Sequence, residues 1–243
     1  MPRILGPKTK VLNIWLYHHT CMVKKSVIRP NMLNLKIVHN LFVNKDRITI
    51  MNLATNLKTD YKNTHNAVER LFKWGVIKKE KIGNYNICKI NYGNEDIVEY
   101  LKEYNFYVNV KVFKSKYPAE YNILKETISK SSENIKSLSP LFMCIIFGSY
   151  AKGEEKKESD IDVLVVPQVT AIDSLDFKRI LSEKNAPYHK KFHIEVQNIY
   201  DFMKDLKEKN KVSIATEIYK QPPIVLHGDD IFFKIMVEAS KSW

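Results

Sequence analysis

An apolar run, Ile145-Ile146-Phe147, stops at Gly148-Ser149; after ten intervening residues, Asp160 and Asp162 open a second apolar run, Val163 to Val166. No other feature constrains the chain as much. Each run has the length and composition of a buried strand, and the glycine marks where the first strand must turn into something else. Residues i and i+2 of a strand share a face, so Asp160 and Asp162 stand side by side. Carboxylates that close repel unless a cation lies between them. Hard divalent cations such as Mg²⁺ are held by one or two carboxylates together with phosphate oxygens. The pair is therefore a metal clamp, and the Gly148-Ser149 turn beside it, with its free amides, the Ser149 hydroxyl and Lys152 a turn later, suits a phosphate. Taken alone, an Asp-x-Asp is common on solvated strand ends; the ordered set carries the information.

A hydroxyl activated near such a clamp needs a third acid. Phe192, Ile194 and Val196 alternate with His193, Glu195 and Gln197, a strand with one apolar and one polar face. Laid beside the Asp160 strand, it brings Glu195 near the two aspartates, and His193 shares its face. His189 lies four residues before His193, and His18-His19 form a doublet. Neither has the further ligands or the shared face of a zinc site.

With Gly148, Ser149, Asp160, Asp162 and Glu195 in this order, residues 132–233 resemble the nucleotidyltransferase superfamily that includes DNA polymerase beta, and most of all its minimal prokaryotic members. Tyr150-Ala151-Lys152-Gly153 resembles that family's aromatic-Ala-Arg-Gly stretch, with a lysine point charge in place of the forked arginine. Residues 223–229 resemble the family's closing strand. The resemblance implies catalysis by Asp160, Asp162 and Glu195, which would hold two Mg²⁺ ions. It also implies a nucleoside triphosphate, ATP by preference, along Gly148, Ser149 and Lys152. An acceptor hydroxyl would attack the α-phosphate and pyrophosphate would leave. Relatives of this small type often adenylylate a partner toxin of the HEPN class, so a HEPN-type protein is the expected acceptor and a toxin–antitoxin pair the expected setting.

The charge is lopsided. Of a net +12, residues 1–92 hold 17 Lys/Arg against four Asp/Glu, and residues 93–243 hold 22 against 23. A basic module joined to a near-neutral one points to nucleic-acid contact by the first. Leu35, Val38, Leu41 and Phe42 have helical spacing. A β-branched Ile48-Thr49-Ile50 follows, then a short helix over 51–57. Thr59 or Asp60 caps a longer helix with the stripe Ala67, Val68, Leu71 and Phe72, and Gly75 ends it. Residues 76–92 form a hairpin around Gly83-Asn84. This order resembles the winged helix-turn-helix of bacterial and archaeal regulators. The resemblance implies DNA binding by Lys58, Tyr61, Lys62, Asn63, His65 and Asn66 at the start of the second helix, and by Lys78, Lys79 and Lys81 on the wing. Such modules commonly bind as dimers, so a homodimer is compatible with it; a solvated basic face used for protein docking is the plainer alternative.

The expected fold is α/β (α+β): a basic extension over 1–32, a winged helix over 33–92, a helical linker over 93–135 and a nucleotidyltransferase domain over 136–243. In that domain a mixed sheet would carry helices on one face. A helix over 172–184 and another over 200–209 are expected there. No apolar run reaches the roughly 20 residues a membrane helix needs. Three scattered cysteines, Cys21, Cys88 and Cys144, argue against a disulfide framework. A cytoplasmic protein with no membrane partner follows. The reading from another class is a DNA-binding transcriptional regulator whose catalytic domain senses nucleotide without turnover.

Overall fold

The computed structural model describes residues 30–44, 48–134, 142–167, 192–208, 211–221 and 223–242. The extension before Pro30, with His18, His19 and Cys21, lies outside the described residues, as do the helix expected over 172–184 and His189.

The basic module begins with α1 (Met32–Asn44), whose Leu35, Val38, Leu41 and Phe42 are buried as their spacing requires. The two-residue β1 (Ile48–Thr49) leads into α2 (Ile50–Leu57), capped by the Thr49 side chain accepting from the Asn52 amide. Asp60, not Thr59, caps α3 (Tyr61–Lys73) by accepting from the Asn63 amide. Strands β2 (Ile77–Ile82) and β3 (Tyr85–Ile90) form the hairpin around Gly83-Asn84, and β1 pairs antiparallel with β3 to give the order β1-β3-β2. Helix, strand, helix, helix, hairpin is the winged-helix topology. One stripe residue departs from expectation: Phe72 is exposed and its ring lies under the Lys79 ammonium at 4.2 Å.

The turn between α2 and α3 rests on Lys58, the one non-glycine residue with positive φ among those described (φ 51°); its amide caps α2 by donating to the Ala54 and Thr55 carbonyls. A β-carbon in that conformation costs roughly 1 kcal/mol or more. Lys58→Gly is therefore expected to raise stability by about 0.5–1 kcal/mol, seen as a higher melting midpoint. If Lys58 touches DNA, the same variant binds DNA more weakly.

Helix α4 (Ile97–Tyr104) runs directly into a π-helical segment (Asn105–Val110) and α5 (Lys111–Lys116), and α6 (Pro118–Asn134) follows. Sequence spacing missed the middle of this stretch because Phe106, Tyr107 and Val112 are exposed there and Asn105 is buried. The second sheet contains β4 (Phe142–Phe147), β5 (Ile161–Pro167), β6 (Phe192–Val196) and β7 (Ile224–His227), in the order β6-β5-β4-β7. It is mixed: β5 and β6 are parallel, the other pairs antiparallel. The single helical turn α7 (Gly148–Lys152) follows β4, while α8 (Ile199–Lys207), α9 (Ile214–Lys220) and α10 (Asp229–Ser242) complete the chain. Helix α9 starts at a capping box of Ser213 and Thr216, a signal the sequence carried.

Helices cover both faces of this sheet, not one. Cys144, Ile146, Val163 and Val165 pack with Phe113, Leu124 and Ile128 of α5 and α6. Ile145, Leu164 and Val166 on the opposite face pack with Phe202, Leu206 and Phe232 of α8 and α10. That second core continues without a break into the winged helix. Helix α4 packs on both α1 and α10, Lys102 pairs with Asp230 at 3.4 Å, and the Tyr219 hydroxyl meets Ser240 at 3.2 Å. Asn31–Trp243 is accordingly one compact unit. Helix α4 is part of its core and not a free spacer.

At the α1–α4 contact, His39 stacks on Tyr104, with 3.8 Å between ring centroids and 13° between planes. Burial holds the imidazole down to about 3 from its usual 6.5. Between those values the unfolded chain binds a proton that the folded chain refuses, so stability falls as pH falls from 6.5 toward 3. The slope from this residue alone is about 1 kcal/mol per pH unit. His39→Phe keeps the stack and removes the titration. Chemical denaturation at pH 6.5 and 4.5 is expected to show a smaller loss of stability in the variant.

Candidate active site

The site forms where β4 ends. Phe147 pairs with Asp162 across the β4–β5 register, so the residue after Phe147 lies against that carboxylate. Gly148 takes φ +67°, and a β-carbon built on it would sit 2.3 Å from Asp162 Oδ2. Glycine is required twice over: for the left-handed backbone and for the room it leaves the aspartate. The sequence assigned this glycine to the approach of a phosphate; the contact seen is with Asp162. Ser149 is half-buried on the single turn of α7, Lys152 is exposed at its end, and Gly153 (φ +73°) closes the turn with its amide on the Ser149 carbonyl.

Residues 153–160 return the chain to β5. The Lys156 amide donates to Ser159 Oγ at 2.9 Å, and the Ser159 amide to the Lys156 carbonyl at 3.0 Å. This turn delivers Asp160, exposed, immediately before β5, with Asp162 as the strand's second residue. The loop is also tied from outside: the Tyr117 hydroxyl donates to the Glu155 carboxylate, and the Tyr117 ring packs edge-on against Tyr150 at 5.0 Å. Burial and the neighbouring carboxylate push the Tyr117 phenol up to about 12, while the bond it donates holds Glu155 below the usual carboxylate range. Nothing local in the sequence signals this pair, whose members are 38 residues apart.

The expected third strand is in place. β6 runs parallel to β5 with Asp162 opposite His193 and Leu164 opposite Glu195. Paired residues share a face, so Asp162, His193 and Glu195 project from the same side. His193 lies between the acids: Nδ1 is 3.1 Å from Asp162 Oδ1 and Nε2 is 3.3 Å from Glu195 Oε1. Among the described residues no three His, Cys, Asp or Glu side chains converge as a ready-made metal cage. The donor chemistry nonetheless fits a hard cation, since three carboxylates lie at the start of β5 and on its neighbour. Gln197, next on the polar face, donates to Asp205 at 2.8 Å and helps seat α8.

On the winged helix, Tyr61, Lys62, Asn63 and Asn66 are exposed at the start of α3, and Lys58 just before it. Two of the nine candidate contacts are partly committed elsewhere. Asn63 Nδ2 donates to Asp60 Oδ2 at 2.5 Å, and His65 Nε2 lies 3.8 Å from Glu69. Lys79 is more firmly held: its ammonium donates to both Glu69 oxygens, at 2.7 and 2.9 Å. Lys78 and Lys81 remain exposed, without an ion pair among the described residues. No helix among the described residues is long and apolar enough to cross a membrane.

A family model described as "Nucleotidyltransferase domain" matches residues 128–221, which contain every site residue from Gly148 to Glu195. A Methanocaldococcus jannaschii protein, named "Putative protein adenylyltransferase", is 32% identical over 91 residues; the match spans 37% of this chain and 88% of that relative. The chain belongs to the nucleotidyltransferase family. This nucleotidyltransferase carries its winged helix outside the matched segment. Superposition on solved structures pairs it with the zinc-responsive MarR family member ZitR of Lactococcus lactis (TM-score 0.29, 14% identity, 53% of this chain and 94% of that one). It also pairs it with the adhesin competence repressor AdcR of Streptococcus pyogenes (TM-score 0.30, 16% identity, 54% and 99%). Both fits are too loose to bear on fold or function.

Proposed function

We propose that this chain is a Mg²⁺-dependent nucleotidyltransferase that moves AMP from ATP to a hydroxyl on a partner protein, with the winged helix holding it on DNA. The observation that carries the reading is the Gly148–Asp162 contact, with Glu195 on the adjacent parallel strand and the same face. Two loops and three strands are spent on bringing one phosphate-suited turn against a row of carboxylates. The name of the Methanocaldococcus jannaschii relative supports a protein acceptor and AMP.

In this reading Asp160, Asp162 and Glu195 hold the metal. Bound there, Mg²⁺ would offset the triphosphate charge and the charge that develops on the leaving pyrophosphate. Gly148 and Ser149 present backbone amides and a hydroxyl to phosphate oxygens. Lys152, exposed on the same turn, adds a positive charge. Glu155, clamped by Tyr117, fixes the loop that carries the aspartates, so that positioning contributes to the rate. A HEPN-type toxin is the acceptor class we would try first.

The test is intact-mass spectrometry of candidate acceptors after incubation with ATP, Mg²⁺ and the purified chain. A gain of one AMP residue on a protein supports the proposal; unmodified acceptors and an extended RNA would redirect it to polynucleotide ends. The alternative, a DNA-binding regulator that only senses nucleotide, has one observation in its favour. The winged helix and the catalytic sheet share a core, through which occupancy of the site would reach α3. ATP-dependent DNA affinity with no transfer would support it.

A further inference from the structure

We propose that the tip of the β2–β3 hairpin is an apolar wedge that inserts between base pairs of duplex DNA. The inference rests on the reading of the winged helix as a DNA-binding module. Ile82 and Tyr85 are register partners across the turn, so their side chains stand together on one face. They are 42% and 67% exposed, and the half-buried Ile87 lies behind them on the same face. A β-carbon built on Gly83 would meet no atom within 4 Å, so the turn projects clear of its surroundings. From Ile82 to Asn86 the tip carries no charge, although it belongs to the strongly basic part of the chain.

Charge around the tip argues for DNA as the occupant. The exposed Lys81 adjoins it and the exposed Lys78 lies further back on β2, both suited to phosphates that flank an inserted side chain. Behind the tip on its own face, the Glu80 carboxylate is bonded to Lys89, so it presents no net negative charge to a phosphate backbone. The wing is also fixed to α3: Lys79 donates to both Glu69 oxygens and lies over the Phe72 ring. Wing and α3 therefore meet DNA as one body, and with α3 in the major groove the tip faces the adjoining minor groove. Isoleucine is among the side chains that wedge between base steps from that groove. The Tyr85 ring offers a face on which an unstacked base can lie. Asn84 and Asn86, exposed beside them, carry donors for the acceptors on the minor-groove floor.

The experiment is relaxation of a closed circular plasmid by topoisomerase I in the presence of the full chain, with bound protein measured on the same plasmid by filter binding. Inserted side chains unwind the duplex, and the change stays in the linking number after the protein is removed. Wild type is compared with Ile82→Ser/Tyr85→Ser and with Ile82→Leu/Tyr85→Phe; both pairs are exposed, so each variant is expected to keep the wild-type melting midpoint. The proposal expects wild type to shift the linking number in proportion to the protein bound. It expects the serine pair to bind on the order of tenfold more weakly and, at equal occupancy, to lose the shift. It expects the leucine–phenylalanine pair to match wild type. Wild type bound without a shift, or a serine pair that shifts as much at equal occupancy, overturns the wedge and leaves DNA binding standing. A serine pair that differs from wild type only in self-association, read by sedimentation, overturns it in favour of a contact between copies of this chain. No binding of plasmid by wild type overturns the DNA reading and the wedge together.

Discussion

Gly148→Ala is expected to reduce nucleotidyl transfer by about a hundredfold or more while the protein stays folded. The new methyl group would lie 2.3 Å from Asp162 Oδ2, far inside contact distance, on backbone at φ +67°. Something must shift, and the atoms in the way are the Asp162 carboxylate itself. The backbone conformation costs a further 1 kcal/mol or so. A displacement of about 1 Å in a reacting group is worth about a hundredfold in rate. The stability loss should stay near 1–2 kcal/mol, since the strain can relax through a partly exposed side chain. Steady-state transfer assays and thermal denaturation on the same preparation separate the two effects. A fully active Gly148→Ala would contradict the placement of Asp162 at the reaction centre.

Asn105→Ala is expected to have the largest effect on stability, about 2–4 kcal/mol, with little direct effect on catalytic chemistry. β7 is an edge strand, and Val225 turns its amide and carbonyl away from β4. The buried Asn105 side chain answers both: Nδ2 donates to the Val225 carbonyl at 2.8 Å and Oδ1 accepts from its amide at 3.1 Å. A side-chain amide thus stands where a further strand would pair. Its removal strands two buried backbone groups at about 1–3 kcal/mol each, less what water recovers. The melting midpoint should fall by about 5–10 °C. A second strut, Asn109 to the Pro223 carbonyl at 3.2 Å, keeps the π-helical segment against the same edge. A wild-type melting curve for Asn105→Ala would mean the pairing is solvent-exposed in practice.

What the sequence revealed divides along physical lines. Strands β4, β5 and β6, the Gly148 turn and the order of the acids were readable because each is a local pattern: an apolar run, a glycine, a period of two. The winged helix was readable for the same reason, from the α1 stripe to the Gly83-Asn84 turn. What escaped notice was long-range. The Tyr117–Glu155 and Asn105–Val225 contacts join residues 38 and 120 apart in the chain, and no local pattern announces either. Lys79 looked like one more wing lysine until folding placed Glu69 of α3 against it. The sheet's second helical layer also depends on how α5 and α6 fold back, which their spacing does not determine. His193 lies between these cases. Its face was legible from alternation, but its position between Asp162 and Glu195 required the β5–β6 register.

The most direct test of the central claim is transfer of label from α-³²P ATP in Mg²⁺ to whatever co-purifies with the chain. Wild type is compared with the Asp160→Asn/Asp162→Asn double variant, and DNA affinity is measured on both. The account predicts label on a protein with wild type, loss of at least about a thousandfold in the double variant, and unchanged DNA affinity. Equal labelling by the two proteins would contradict it, because the carboxylates at the head of β5 would then play no part in the reaction.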